Sequence, residues 1–108
     1  HPEYRMCLKT YFQWIGAELV EVATPEGTLD LQAWTNAIDS QTACVILPQP
    51  NFFGIVEDLK PFAAAAKSAG ASVVACVDAI SLGILDKPSN WSADVVVAEG
   101  QSLGNPLQ

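Results

Sequence analysis

Ala43-Cys44-Val45-Ile46-Leu47 is an unbroken apolar run. It shows no alternation of polar and apolar residues, so it reads as a strand buried on both faces, the pattern of a parallel sheet. Two later stretches repeat it. Ser72-Val73-Val74-Ala75-Cys76-Val77 ends at Asp78, and Ala93-Asp94-Val95-Val96-Val97-Ala98 leads to Glu99. Between the first two, helical spacing over residues 58–69 puts Leu59, Phe62, Ala63 and Ala66 on one inward side. Pro61 falls in the first turn, where its missing N–H costs no helical bond, and Gly70 ends the helix. Buried-type strands alternating with helices imply an α/β layer: a mostly parallel sheet with covering helices.

Upstream of this layer, Tyr4, Cys7, Leu8, Tyr11, Phe12 and Ile15 recur at helical spacing and make one apolar stripe. The stripe predicts a helix that starts near Pro2, closes at Gly16 and packs its aromatics into the core. Glu18-Leu19-Val20-Glu21-Val22-Ala23 alternates and predicts a short strand. Thr24-Pro25-Glu26-Gly27 is turn chemistry. A short helix follows from 30 to 38, with Asp30 as its N-cap and Leu31, Trp34 and Ile38 on one side. A helical turn is expected over 81–85. No repeat or linker divides residues 1–108, which read as a single partial α/β domain. The third strand is followed by ten residues, Glu99 to Gln108, and no helix remains to cover it. With no starting Met, this predicts a fragment of a larger chain.

Composition bounds the chemistry. Of the 108 residues 50% are hydrophobic and 16% charged, which excludes a disordered chain. Lys plus Arg is 5 against 12 Asp plus Glu, a net charge of −7, so a nucleic-acid binder with a basic face is excluded. No apolar run approaches the roughly 20 residues that span a bilayer. His1-Pro2-Glu3-Tyr4-Arg5 does not read as a signal peptide. Cys7, Cys44 and Cys76 are far apart, odd in number and set among apolar residues, which predicts buried, reduced thiols in a cytoplasmic protein. His1 is the sole histidine, so a Cys/His metal site is not expected, and a Ser-His-Asp or Cys-His hydrolase would need a histidine from outside this chain.

Ligands of open α/β sheets bind beyond the carboxyl ends of the strands. Three loops occupy that position: Gln49 to Gly54, the segment from Asp78, and Glu99 to Gly104. They bring an amide at Asn51, a carboxylate at Asp78 and a small polar loop. A strand-end Asp suits the protonated ring nitrogen of pyridoxal phosphate. It equally suits a cap on the turn from Ile80 to Leu82, the better reading of the residue by itself. Asn51 has a parallel reading as a turn residue. A pyridoxal phosphate enzyme also needs a lysine for the internal Schiff base. Lys9, Lys60 and Lys67 fall on polar helix sides, Lys87 lies in a turn, and none follows the third strand.

The motifs themselves resemble a known family. His1-Pro2-Glu3-Tyr4-Arg5 with Lys9-Thr10-Tyr11 is similar to the HPEYR…TY segment of the glycine decarboxylase P-protein. Gln49-Pro50-Asn51-Phe52-Phe53-Gly54 with Glu57-Asp58-Leu59 resembles its QxPNFFGxxEDL segment. Val77-Asp78 with Ser81-Leu82-Gly83 and Leu85, and Gly100-Gln101-Ser102-Leu103-Gly104-Asn105-Pro106 after the third strand, complete the resemblance over nearly the whole chain. The pattern is most similar to subunit 1 of the split, two-subunit bacterial form.

The resemblance implies part of the large domain of a fold-type-I pyridoxal phosphate transferase. It implies glycine decarboxylation with aminomethyl transfer to the lipoyl arm of the H-protein. It also implies a subunit without the Schiff-base lysine, with Gln101 near the lysine position and the cofactor bound mainly by subunit 2. Asp78 then stands where the catalytic subunit pairs with the pyridine nitrogen, and Asn51 lies on a loop facing the cofactor or the subunit interface. Two alternatives stay open. Another fold-type-I enzyme, an aminotransferase or cysteine desulfurase, would show a lysine shortly after the third strand. A non-enzymatic α/β interaction domain would fold alone as a monomer.

Overall fold

A computed structural model describes residues 1–106. Helix α1 spans Pro2–Ile15 and α2 spans Leu31–Ala37. Strand β1 (Cys44–Gln49), helix α3 (Lys60–Ser68), strand β2 (Ser72–Val77) and strand β3 (Val95–Ala98) follow. Short 3₁₀ turns occupy Ser81–Gly83, Pro88–Trp91 and Gln101–Leu103. The sheet order is β1-β2-β3 and every pairing is parallel, with Leu47 opposite Ala75 and Val77 opposite Ala98. The α/β class and the parallel sheet are therefore as the apolar runs imply.

One face of this sheet carries the core. Val45 and Leu47 of β1 and Val73, Ala75 and Val77 of β2 are buried beneath Phe62, Ala63 and Ala66 of α3. Small Ala63 and Ala66 let α3 lie close to the sheet, and Trp34 and Trp91 fill the flanks. The Trp34 indole N–H donates to the Phe62 carbonyl at 3.0 Å, and the two rings meet edge to face at 5.9 Å. Asp30 caps α2 by accepting from the Ala33 N–H at 2.7 Å. After α3, Gly70 takes φ +87, a conformation costly for any residue with a Cβ, and turns the chain into β2. At the amino end of the sheet the Asp94 carboxylate pairs with Lys67 and accepts from the Val73 N–H at 2.6 Å. The Lys67 ammonium, then that N–H, holds the Asp94 carboxyl below its ordinary range.

The other face differs from the expectation of strands buried on both sides. Cys44 is exposed, Ile46 is 38% accessible, and Val95 and Val97 on the same face are 47% and 45% accessible. All four residues of β3 are exposed. The physical reason is coverage: among the described residues no helix lies along this face.

Three further expectations are corrected. Cys7 and Cys44 are exposed and Cys76 is half-buried, because they lie on α1 and on the uncovered face. The α1 stripe is not core: no α1 residue is fully buried, and Tyr11 and Ile15 face solvent. Residues 18–23 form no strand, since alternation alone supplies no ladder partner. Instead Glu21 pairs with Arg5 and Lys9, which lowers the Glu21 carboxyl and ties this segment to α1.

Candidate functional site

The three predicted loops lie where the chain leaves the carboxyl ends of β1, β2 and β3. The first is the most fully determined. The buried Gln49 side chain donates to the Glu57 carbonyl at 2.8 Å and accepts from the Glu57 N–H at 3.2 Å. Asn51 sits inside the bracket that this pair makes. Its amide nitrogen donates to the Gly27 carbonyl at 2.8 Å and to Glu57 Oε1 at 2.9 Å. Its amide oxygen accepts from the N–H groups of Phe53 and Ile55, each at 3.0 Å. Glu57 Oε2 accepts from the Leu29 N–H at 2.7 Å, and Gly54 makes the turn at φ +78. Gln49, Asn51, Gly54 and Glu57 thus form one latch that leaves Phe52 and Phe53 exposed at the tip.

Asp78 opens the second loop. Its Oδ1 accepts from the Ile80 N–H at 2.7 Å and the Ser81 N–H at 3.3 Å, while its carbonyl accepts from the Ser81 hydroxyl at 2.7 Å. This is an Asx-type cap on the turn that follows. Gln101 sits in the third loop, exposed, beside a shallow cleft lined with Glu99, Gly100, Asn105 and Pro106. Backbone bonds from Leu103 and Asn105 to the Gly100 carbonyl close that loop.

The fold thus brings Asn51, Asp78 and Gln101 to one end of the sheet. Among the described residues no hydrogen bond joins any two of them. Asn51 spends its amide within its own loop and on the Gly27 carbonyl, and Asp78 spends Oδ1 on its own turn.

The described residues do not compose a complete pyridoxal phosphate site. One Asp78 oxygen is committed to the cap. Lys9 pairs with Glu21, Lys67 with Asp94, and Lys60 lies 3.6 Å from Asp86; none stands on the loop after β3. Burial pushes the Cys76 thiol up, which disfavours its thiolate.

Two residues outside the predicted site set also hold these loops. Glu57 anchors the first latch, and Glu99 accepts a hydrogen bond from Tyr4 of α1. The Glu57 signal was present in the QxPNFFGxxE spacing. Tyr4 and Glu99 are 95 positions apart, beyond any local pattern.

The profile of the glycine cleavage system P-protein family matches residues 1–108. The chain belongs to the glycine cleavage system P-protein family.

Within that family, the probable glycine dehydrogenase (decarboxylating) subunit 1 of Desulforamulus reducens is 50% identical over 107 residues. The similarly named protein of Geotalea daltonii is 45% identical over 107 residues. Each alignment covers 99% of this chain and 24% of the relative. A crystal structure of glycine decarboxylase (P-protein) of the glycine cleavage system, in inhibitor-bound form, superposes with a TM-score of 0.86 at 41% identity. It too is covered over 99% of this chain and 24% of the solved one. The chain spans about a quarter of the length of the P-protein relatives it matches (24%) and takes the α/β fold of that part. No helix among the described residues is long and apolar enough to cross a membrane.

Proposed function

We propose that this chain is one partial α/β domain of subunit 1 of a two-subunit, cytoplasmic glycine dehydrogenase (decarboxylating). The assembled enzyme decarboxylates glycine and passes the aminomethyl group to the lipoyl arm of the H-protein. Pyridoxal phosphate, which supplies the electron sink for decarboxylation, is held mainly by subunit 2. This chain contributes scaffold and the loops that face the cofactor or the subunit interface. The observation that carries the reading is the loop after β3. It holds Gln101 and no lysine, within a chain 50% identical to a subunit 1 protein.

In this reading Asp78 and Gln101 are vestiges of cofactor contacts, and Asn51 is a loop-forming residue next to them. Asp78→Asn tests the assignment. Asn retains an oxygen that accepts from the Ile80 and Ser81 N–H groups, so the cap survives and only the charge is lost. In the assembled two-subunit enzyme, kcat/KM for glycine is expected to stay within about threefold of the parent. Abolished decarboxylation with the fold and the complex intact would overturn the vestigial role.

A further inference from the structure

The HPEYR segment meets both outer loops across the carboxyl end of the sheet. Tyr4, in the first turn of α1, donates its hydroxyl to the Glu99 carboxylate. The His1 ring lies 4.9 Å from Tyr4 and, edge-on, 5.0 Å from Phe52. Phe52 in turn meets Phe53 at 5.6 Å. A continuous set of contacts therefore runs from the latched β1 loop, through the first turn of α1, to the β3 loop. The helix is held on its flank as well, where Arg5 and Lys9 grip Glu21.

The receiving loop is closed on itself by its own hydrogen bonds. The Gly100 carbonyl accepts from Leu103 at 3.1 Å and from Asn105 at 3.2 Å, and the Gly104 N–H reaches the Gln101 carbonyl at 3.0 Å. A Cβ added at Gly100 would stand 2.2 Å from the Asn105 amide nitrogen, so the two sides of the loop are in close contact. Glu99 is the root of this loop, two residues before Gln101. A hydrogen bond to an ionised carboxylate is stronger than a neutral one. The same bond, with burial and the Glu99 charge behind it, pushes the Tyr4 hydroxyl up to about 12.

We propose that Tyr4 is a positioning residue that, through Glu99, sets the orientation of the Gly100–Asn105 loop at the mouth of the site completed by the lysine-bearing subunit. The proposal rests on the function proposed above, and its test separates the two. Tyr4→Phe keeps the ring and the His1 contact, and removes only the hydroxyl. Glu99→Ala removes the acceptor, and the double variant closes the cycle. All are made in the full-length subunit assembled with its partner.

Hydrogen exchange at the Leu103, Gly104 and Asn105 amides is expected to rise about fivefold or more in each single variant, the scale of one lost hydrogen bond. The KM for glycine is expected to rise about threefold or more with kcat within about twofold, and the double variant should match Glu99→Ala alone. A merely structural tie would lower melting temperature or assembly without this KM shift. Unchanged exchange in Tyr4→Phe, raised exchange with unchanged KM, or additive effects in the double variant would each overturn the proposal. If the unsubstituted complex does not decarboxylate glycine, the functional reading fails and the positioning role at that site falls with it, while exchange still reports whether the tether exists.

Discussion

Leu47→Ala should lower stability by about 3 kcal/mol or more, within the range of about 2–5 kcal/mol for removing a fully buried leucine side chain. Leu47 is 0% accessible and lies in the middle of β1, facing the core that α3 covers. Its neighbours there include Ala63, Ala66, Val73 and Ala75, all of them small or branched and attached to regular elements. Such side chains cannot stretch to fill the space, so the cavity persists and adds its own cost to the lost burial. Urea unfolding followed by the fluorescence of Trp34 and Trp91, which border the same core, measures the change. A loss below about 1 kcal/mol would mean that the site collapses freely and that α3 is not seated on β1 as described.

Asn51→Asp is expected to be worse than Asn51→Ala. The alanine variant forfeits four hydrogen bonds and leaves part-buried partners open, at a cost of about 1–3 kcal/mol. The aspartate keeps an acceptor for Phe53 and Ile55 but has no donor for Gly27 or Glu57. It also sets a second carboxylate against Glu57. Two like charges 4 Å apart repel by about 4 kcal/mol at an effective dielectric of about 20.

The carboxylate pair makes the penalty depend on pH. Repulsion raises the folded-state pKa of one carboxyl, so the penalty is full above that value. It fades as pH falls and the folded protein takes up a proton, which also restores a donor. The difference between the two variants should therefore be largest near neutral pH and shrink in acid. A pH-independent difference, or Asp tolerated as well as Asn, would show that the Asn51–Glu57 contact does not hold the loop.

These two residues also mark how far the sequence could be read. The run around Leu47 reads as a strand because it is short, unalternating and bounded by turn residues. It does not say what covers each side. Val45 and Leu47 turn to α3, whereas Cys44 and Ile46, equally apolar in the sequence, look out from a face that no described helix lies along. The alternation over residues 18–23 misled for a related reason. It states which side chains share a face, and a strand also needs a neighbour to bond.

At the candidate site, local chemistry was legible and long-range chemistry was not. Asp78 as a turn cap and Asn51 as a turn residue are short-range patterns, and both hydrogen-bond sets are present. The hold of Asn51 on Gly27 and the tie from Tyr4 to Glu99 cross 24 and 95 positions, where no periodicity operates. The family motifs marked these residues without giving their roles. The structure accounts for Gln49, Asn51, Gly54 and Glu57 as a latch.

In the proposed function the lysine chemistry belongs to the partner subunit. Borohydride reduction of the assembled, cofactor-loaded two-subunit enzyme, followed by peptide mapping, tests it directly. A pyridoxyl label is expected on a lysine of the partner and none on Lys9, Lys60, Lys67 or Lys87. A label on any of these four would contradict it.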